Sequence, residues 1–265
     1  MILPICVGHR QPEFPVWRKF QSIGYRPQSV LGEMAERVEI PVFSKHDISD
    51  KDLSEYYHLF RLARILRSET VRIDNPRLLI IHYRRFLSTR PLGITSQNQV
   101  YARTIKPSDV PEDSAHLIPS YGSNWFCSPI LDLQRTIYEQ FANHHPLREL
   151  IKLLASLTSR SLFSDEDARA FLSERRLVAV ATLGLSRLEV FLDIMAKLET
   201  AVIAYLEDWR NPKYVGYQRR ILGFLCERLH SFLLIRQLEA ENALHPTSIG
   251  HQIVVTHGSR IVPSI

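Results

Sequence analysis

Apolar and polar positions along the chain fall into two rhythms. Residues 2–8, Ile-Leu-Pro-Ile-Cys-Val-Gly, form a short apolar run closed by Gly8 and predict a buried first strand; residues 25–31 predict a second. The polar stretch Asp47-Ile48-Ser49-Asp50 supplies helix caps, and apolar residues at 53, 56, 59, 60, 63 and 66 then predict one helix over 53–66. Residues 77–82, Arg-Leu-Leu-Ile-Ile-His, predict a buried strand with a polar end at His82. Strand, helix, strand is the order of a parallel sheet with crossover connections.

Pro91, Pro107, Pro111, Pro119, Gly93 and Gly122 break every period over residues 88–128, where 100–105 alone keeps a strand pattern. A stretch this long without regular structure is usually functional or mobile. Beyond it the helical rhythm dominates: a helix over 132–145, another over 147–158 with Pro146 at its first position, and a third opening at Ser164-Asp165-Glu166-Asp167 with acids in its first turn. Residues 178–183 predict a further strand, and Ser186 with Glu189 has the spacing of a capping box. The helix after it is apolar at 188, 191, 195, 198, 202, 205 and 209, and a second long helix over 217–241 is apolar at 221, 222, 224, 225, 229, 232 and 233. The two are expected to pack as an antiparallel pair joined through Asn211 and Pro212. Residues 252–255 predict an edge strand. The whole chain reads as one α/β domain with a mostly parallel sheet: a core over about 1–130, a helix-rich part over about 131–245 and a tail at 246–265.

Composition narrows the class. Of 265 residues 45% are hydrophobic and 23% charged, a globular balance that excludes wholesale disorder, a collagenous fibre and a polytopic membrane protein. The net charge is +5, and Arg outnumbers Lys 26 to 7. The rigid guanidinium fork suits phosphate and carboxylate, so an anionic partner fits, although a G+C-rich genome produces the same bias. The basic residues are dispersed rather than clustered with aromatics, which argues against nucleic acid. Cys6, Cys127 and Cys226 lack metal or redox spacing and read as small buried side chains in a reducing compartment. The first residues carry neither a basic segment nor a cleavage site, and no run approaches the roughly 18 apolar residues of a spanning helix. The expected location is cytoplasmic, at most peripheral on a membrane.

The densest candidate chemistry is His82-Tyr83-Arg84-Arg85 at the end of the predicted strand over 77–82. Open parallel sheets bind ligands beyond the carboxyl ends of their strands, and two adjacent arginines there form a diphosphate clamp or simply a charged strand end. Glu55, on the preceding helix, is either a base or an ion-pair partner that holds the arginines. Glu139, His144 and His145 invite a zinc reading, but sequential histidines share no helix face and no third ligand is spaced to help, so no metal site is expected. Gly223 lies mid-helix in a strongly apolar run, where it serves close packing or ligand approach. Glu227 and Arg228 in the same run require pairing, with Arg220 or Glu55 as candidates, and read as a structural network. There is no Walker loop, no GxGxxG, no GxSxG and no Asp-x-Asp at a strand end, so no cofactor is expected.

In order along the chain these motifs resemble a bacterial family, classed as glycosyltransferase-like, from capsule, exopolysaccharide and O-antigen gene clusters. His82-Tyr83-Arg84-Arg85-Phe86 resembles its His-Tyr-Arg-Arg-Tyr-Phe signature. Asp47-Ile48-Ser49-Asp50-Lys51 and Ser54-Glu55-Tyr56-Tyr57 stand where the family has Asn-Ile-Ser and Cys-Glu-Leu-Thr, with Glu55 matching the Glu. Glu139-Gln140-Phe141 with His145 is similar to a Gln-Tyr followed by His, and residues 220–229 are similar to a closing Arg-x-x-Gly-Phe-x-x-Glu-Arg-Leu. Two departures mark this chain: Ala181-Thr182-Leu183-Gly184-Leu185 occupies the place of an Asn-x-Phe, and the part between signature and Gln-Tyr is short.

The resemblance implies a Rossmann-like, GT-A-like fold and transfer of a sugar from a nucleotide-sugar donor to a lipid-linked surface glycan. It places His82, Tyr83, Arg84 and Arg85 on the donor side, Arg220 or Arg228 as a second cation, and Glu139 and His145 on the acceptor side. Glu55 or His82 would serve as base. A metal-free transferase needs protein cations against the leaving diphosphate, and a basic surface favours contact with an anionic inner membrane face. The competing expectation is a catalytically silent glycan-binding or scaffold member of the same assembly pathway; a third is another phosphate-ligand α/β enzyme such as a methyltransferase.

Overall fold

A computed structural model describes residues 1–8, 12, 14, 18, 20–24, 29–68, 75–97, 99–113, 115–117 and 124–256. At its centre β1 (Ile2–Val7) runs parallel to β2 (Gln21–Ile23) and to β3 (Arg77–His82), with Ile5 opposite Gln21 on one side and Ile80 on the other. The period-2 alternation of these strands serves two apolar faces. Ile5, Val7, Leu78 and Ile80 enter the larger core, and Cys6, Leu79 and Ile81 enter a second core with Phe86, Phe126 and Ile253. A sheet buried on both faces gives continuous rather than alternating hydrophobic strands, which is why both were readable as apolar runs.

Of the expected strand over 25–31, residues 25–28 lie outside the described residues and 29–31 open a helix instead. Ser29 caps α1 (Val30–Arg37), its hydroxyl accepting from the Gly32 N–H at 3.1 Å. The strand beside β1 comes earlier and is three residues long, too short for a sequence signal. After α2 (Pro41–Lys45), the single helix expected over 53–66 is divided. A capping box of Ser49 and Asp52 builds α3 (Asp50–Leu53), Ser54 then takes the left-handed φ of 57°, and α4 (Tyr56–Ser68) starts afresh. The Glu55 carbonyl accepts from the N–H groups of His58 and Leu59, so Glu55 sits at the amino end of α4.

Beyond β3 the sheet turns antiparallel. Tyr83 and Arg84 form the turn into β4 (Arg85–Ser88). Past a short edge strand β5 (Ile94–Thr95) comes β6 (Ala102–Ile105), within the predicted strand over 100–105. The segment predicted as an edge strand at the C-terminal end is interior: β11 (His251–Val255) lies between β4 and β6, antiparallel to one and parallel to the other. On the other side β10 (Gly184–Arg187) pairs antiparallel with β3 and with β7 (Phe126–Cys127). Gly184 is required there, since its φ is +126° and a Cβ would lie 1.9 Å from the Phe126 carbonyl oxygen.

The strand expected over 178–183 is two strands that miss its centre. β8 (Ile130–Asp132) pairs with β9 (Arg176–Val178), residues 179–183 turn, and β10 follows. Ser186 therefore belongs to β10, and α8 (Leu188–Asp208) has Arg187 at its N-cap position, with no side-chain cap hydrogen bond. The helix expected over 132–145 is shorter, α5 (Ile137–His144), because residues 130–132 are needed as strand, and Pro146 is the N-cap of α6 (Leu147–Ser159) rather than its first helical residue. After α7 (Asp165–Ser173), the long helix expected from 217 opens with a 3-10 turn at Gly216–Arg220, and α9 runs Ile221–Ala240. The two long helices do pack together: Leu198 and Val202 of α8 meet Leu225 and Leu229 of α9, with Leu153 of α6 beside them.

One buried charge ties this helical half together. Glu149 on α6 is fully buried and accepts hydrogen bonds from Tyr205 on α8 and from Tyr214 at 2.9 Å, while Arg148 at 2.9 Å and Lys152 at 3.2 Å supply the countercharge. Among the described residues no helix is long and apolar enough to cross a membrane.

Candidate active site

A cavity of about 580 Å³ opens beyond the carboxyl ends of β1 and β3, within the range of small-ligand sites. Gly8 ends β1 there and lies so close to Tyr83 that a Cβ would come within 2.8 Å of the tyrosine's own. His82, Tyr83, Arg84 and Arg85 form one wall because β3 ends and reverses at this point. Ser54, Glu55 and Tyr56 form a second wall where the chain breaks between α3 and α4. Arg220, Phe224, Glu227 and Arg228 supply a third from the beginning of α9, at the spacing of a single helix face.

The structure thus brings eight of the sequence-singled residues to one cavity: Glu55, His82, Tyr83, Arg84, Arg85, Arg220, Glu227 and Arg228. Three others lie outside it. Gly223 serves packing: a Cβ would sit 3.2 Å from the Leu53 carbonyl oxygen, so α9 approaches the end of α3 closely. Glu139, expected on the acceptor side, caps its own helix, its carboxylate accepting from the Thr136 N–H at 2.8 Å while Thr136 returns the bond. His145 lies behind the wall, stacked on Phe224 with ring centroids 4.2 Å apart.

The cationic residues differ in what already occupies them. Arg228, expected on the donor side, has its fork engaged by protein. Nη1 donates to Glu227 at 2.9 Å, Nε and Nη2 donate to the Gln140 amide oxygen at 3.3 and 3.2 Å, and Nη2 reaches the His145 Nε2 at 3.5 Å. That geometry suits holding Glu227 better than holding a ligand. Arg220 donates to the Ser54 hydroxyl at 2.7 Å and lies 4.0 Å from Glu227. Arg84 lies over the Tyr83 ring, 5.5 Å from its centroid, and forms no ion pair among the described residues. Ser54, Gln140, Thr182 and Gln218 complete these contacts; Gln140 belongs to the motif that resembles the family's Gln-Tyr, whereas Ser54, Thr182 and Gln218 are not singled out as site residues by the sequence.

Protonation states follow from burial and charge. Burial drives the His82 imidazole down to about 4 against the pull of Glu55, with Arg85 and Arg84 reinforcing the shift, so it is neutral at pH 7. It forms a hydrogen bond with Thr182, Nε2 to Oγ1 3.0 Å. Burial disfavours the Glu55 charge, but the charge that His82 gains in the acid range, hydrogen bonds from its own backbone and from Ser54, and the Arg220 charge outweigh it and hold the carboxyl below its ordinary value. The amino end of α4 acts in the same direction. Glu227 is pushed up instead, by burial and by the Glu55 charge, in spite of Arg228. Two carboxyl groups pushed apart in one cavity is the arrangement that divides acid from base roles. Among the described residues no three His, Cys, Asp or Glu side chains converge on a common metal position.

No protein-family model matches the chain, and no curated protein matches it. Among solved structures it is similar to the apo form of the bifunctional glycosyltransferase WbbM. The TM-score is 0.68 at 10% sequence identity, over 97% of this chain and 46% of that one. The chain therefore spans just under half the length of this neighbour, and at that identity the likeness is one of fold. The fold is of the mixed α/β, Rossmann-like kind, with a sheet that is parallel at its centre, β2-β1-β3, and it matches that of this glycosyltransferase.

Proposed function

We propose that the chain is a glycosyltransferase that moves a sugar from a nucleotide-sugar donor to a lipid-linked bacterial surface-polysaccharide acceptor. The observation that carries this reading is the convergence of Arg84, Arg85 and Arg220 with Glu55 on one cavity at the carboxyl ends of parallel strands. The donor diphosphate lies against Arg84 and Arg85, with Arg220 as the second cation, and these charges offset the negative charge that develops as the sugar–phosphate bond breaks. Protein cations, rather than a bound metal, do this work. Glu55, ionised and aimed into the cavity, accepts the proton of the acceptor hydroxyl as its oxygen attacks the anomeric carbon. His82 is neutral, is hydrogen-bonded to Thr182 and is a positioning group rather than the base.

Arg84→Ala tests the clamp with little confusion from folding, because its side chain is half-exposed and unpaired with any described carboxylate. A charge-assisted contact contributes about 1.5–3 kcal/mol, so calorimetric binding of the nucleotide sugar should weaken about 10- to 150-fold while the melting temperature stays within a degree or two. Wild-type affinity in Arg84→Ala would place the diphosphate elsewhere.

A further inference from the structure

We propose that Glu227 binds the transferred sugar, one of whose hydroxyl groups donates to its Oε1, and that Gln140, His145 and Gln218 are positioning residues that act on it through Arg228. The proposal rests on the transferase reading above and adds the group that recognises the sugar. Gln218 donates from its amide nitrogen to the His144 carbonyl at 2.8 Å, which settles the end of the amide that carries the oxygen. That oxygen lies 3.1 Å from the His145 Nδ1. Burial and the Arg228 charge bring the His145 imidazole down to about 4, so the ring is neutral at pH 7. Its one proton sits on Nδ1, facing Gln218, and Nε2 is left to accept. Arg228 Nη2 meets that nitrogen at 3.5 Å, and the Gln140 oxygen takes Arg228 Nε and Nη2 at 3.3 and 3.2 Å. With those donors held, Nη1 is aimed at the Glu227 Oε2, 2.9 Å away.

An acid whose only task is to neutralise Arg228 would be served at both oxygens and closed off. Arg228 is buried, whereas the Glu227 side chain is 36% exposed within the cavity. Among the described residues its Oε1 accepts no hydrogen bond, and Arg220 stands 4.0 Å away. The place of Glu227 says what it meets. Arg220 is the second cation of the diphosphate side, and Glu55, the base, is near enough that its charge joins burial in pushing the Glu227 carboxyl up. The group that lies between the leaving diphosphate and the base is the sugar itself. A carboxyl oxygen held there offers an acceptor, which a sugar hydroxyl satisfies and an ionised phosphate oxygen does not. Tyr217 and Phe224, with ring centroids 4.8 Å apart, line the cavity beside it. Aromatic surface with a few fixed polar groups is the usual lining of a small-ligand site.

Calorimetric titration of the full chain with UDP, GDP and dTDP, and with UDP-glucose, UDP-galactose, GDP-mannose and dTDP-glucose, separates sugar from nucleotide. For each pair that the wild type binds, the ratio of the two dissociation constants cancels the nucleotide. Glu227→Gln keeps an oxygen for Arg228 and removes the charge assistance. The ratio should therefore move about fivefold against the nucleotide sugar, while the free diphosphate binds as before. Gln140→Leu, outside the cavity, should move the ratio the same way by a smaller factor; a merely structural role would lower the melting temperature and leave the ratio alone. An unchanged ratio in Glu227→Gln overturns the proposal. So does an equal loss for sugar and free diphosphate, which would put Glu227 on the nucleotide. A wild-type ratio in Gln140→Leu overturns the positioning chain. All three results leave the transferase reading standing, whereas a wild type that binds none of these probes overturns that reading and this proposal with it.

Discussion

Glu55→Gln should reduce sugar transfer about 10²- to 10⁴-fold, the usual contribution of a positioned general base, while leaving nucleotide-sugar affinity within a factor of two or three. Gln keeps the shape of the side chain and removes only its ability to take a proton. The expectation follows from where Glu55 sits. The chain would otherwise continue as one helix from α3 into α4, but the left-handed turn at Ser54 ends the first helix and turns Glu55 toward the cavity. With its pKa held below the ordinary carboxylate value, the group is ionised at neutral pH, and the rate should fall only on the acid side as pH drops through that lowered value. His82→Asn should cost much less, because a histidine with a pKa near 4 already bonded to Thr182 holds the site in shape rather than taking the proton. Measured in parallel, a silent His82→Asn with a crippled Glu55→Gln supports the assignment; the reverse order assigns the base to His82.

The second large effect is on stability. Glu149→Ala should destabilise the protein by about 3–5 kcal/mol, the usual penalty for removing one member of a buried charged network. At about 2–4 °C per kcal/mol for a chain of this size, the melting temperature should fall by roughly 6–20 °C. The substitution strands the buried Tyr205 hydroxyl and releases Tyr214, and with it the loop that joins α8 to α9. Burial works against the Glu149 charge, but hydrogen bonds from Tyr205, Tyr214 and Lys152 outweigh it and lower the pKa. A group whose folded pKa is lowered contributes stability that is complete above its unfolded pKa and is lost as pH falls through the folded one. Thermal melts of the wild type should therefore weaken toward acid, and Glu149→Ala should flatten that part of the curve. A melting temperature within two degrees of wild type would contradict this view of the helical half.

The parallel centre of the sheet and most of the helices were legible because their cause is local: apolar runs at β1 and β3, helical spacing through α4, α8 and α9. What escaped the sequence depends on pairing or strain. β10 is four residues long and begins with a glycine demanded by the Phe126 carbonyl, and β11 is interior only because β4 and β6 flank it. Neither fact is written in a window of residues. Arg84, Arg85 and Glu55, which line the cavity, were legible as candidates because charge at a strand end and on an apolar-faced helix is conspicuous. Arg228 was equally conspicuous, and its engagement by Gln140 and His145 depends on α5 and the start of α6, more than 80 residues earlier in the chain. Glu139, expected on the acceptor side, proves to be a helix cap, three residues after the threonine that it serves.

The central claim, a nucleotide-sugar site built on arginines, is most directly tested by thermal denaturation with a panel of nucleoside diphosphate sugars, with and without EDTA. A ligand at about 100 times its dissociation constant stabilises by about 2.7 kcal/mol, or roughly 5–10 °C here. The expected result is a rise with one nucleotide class that survives EDTA and disappears in Arg84→Ala. No rise with any nucleotide sugar would contradict the account and leave a silent glycan-binding protein on a glycosyltransferase fold.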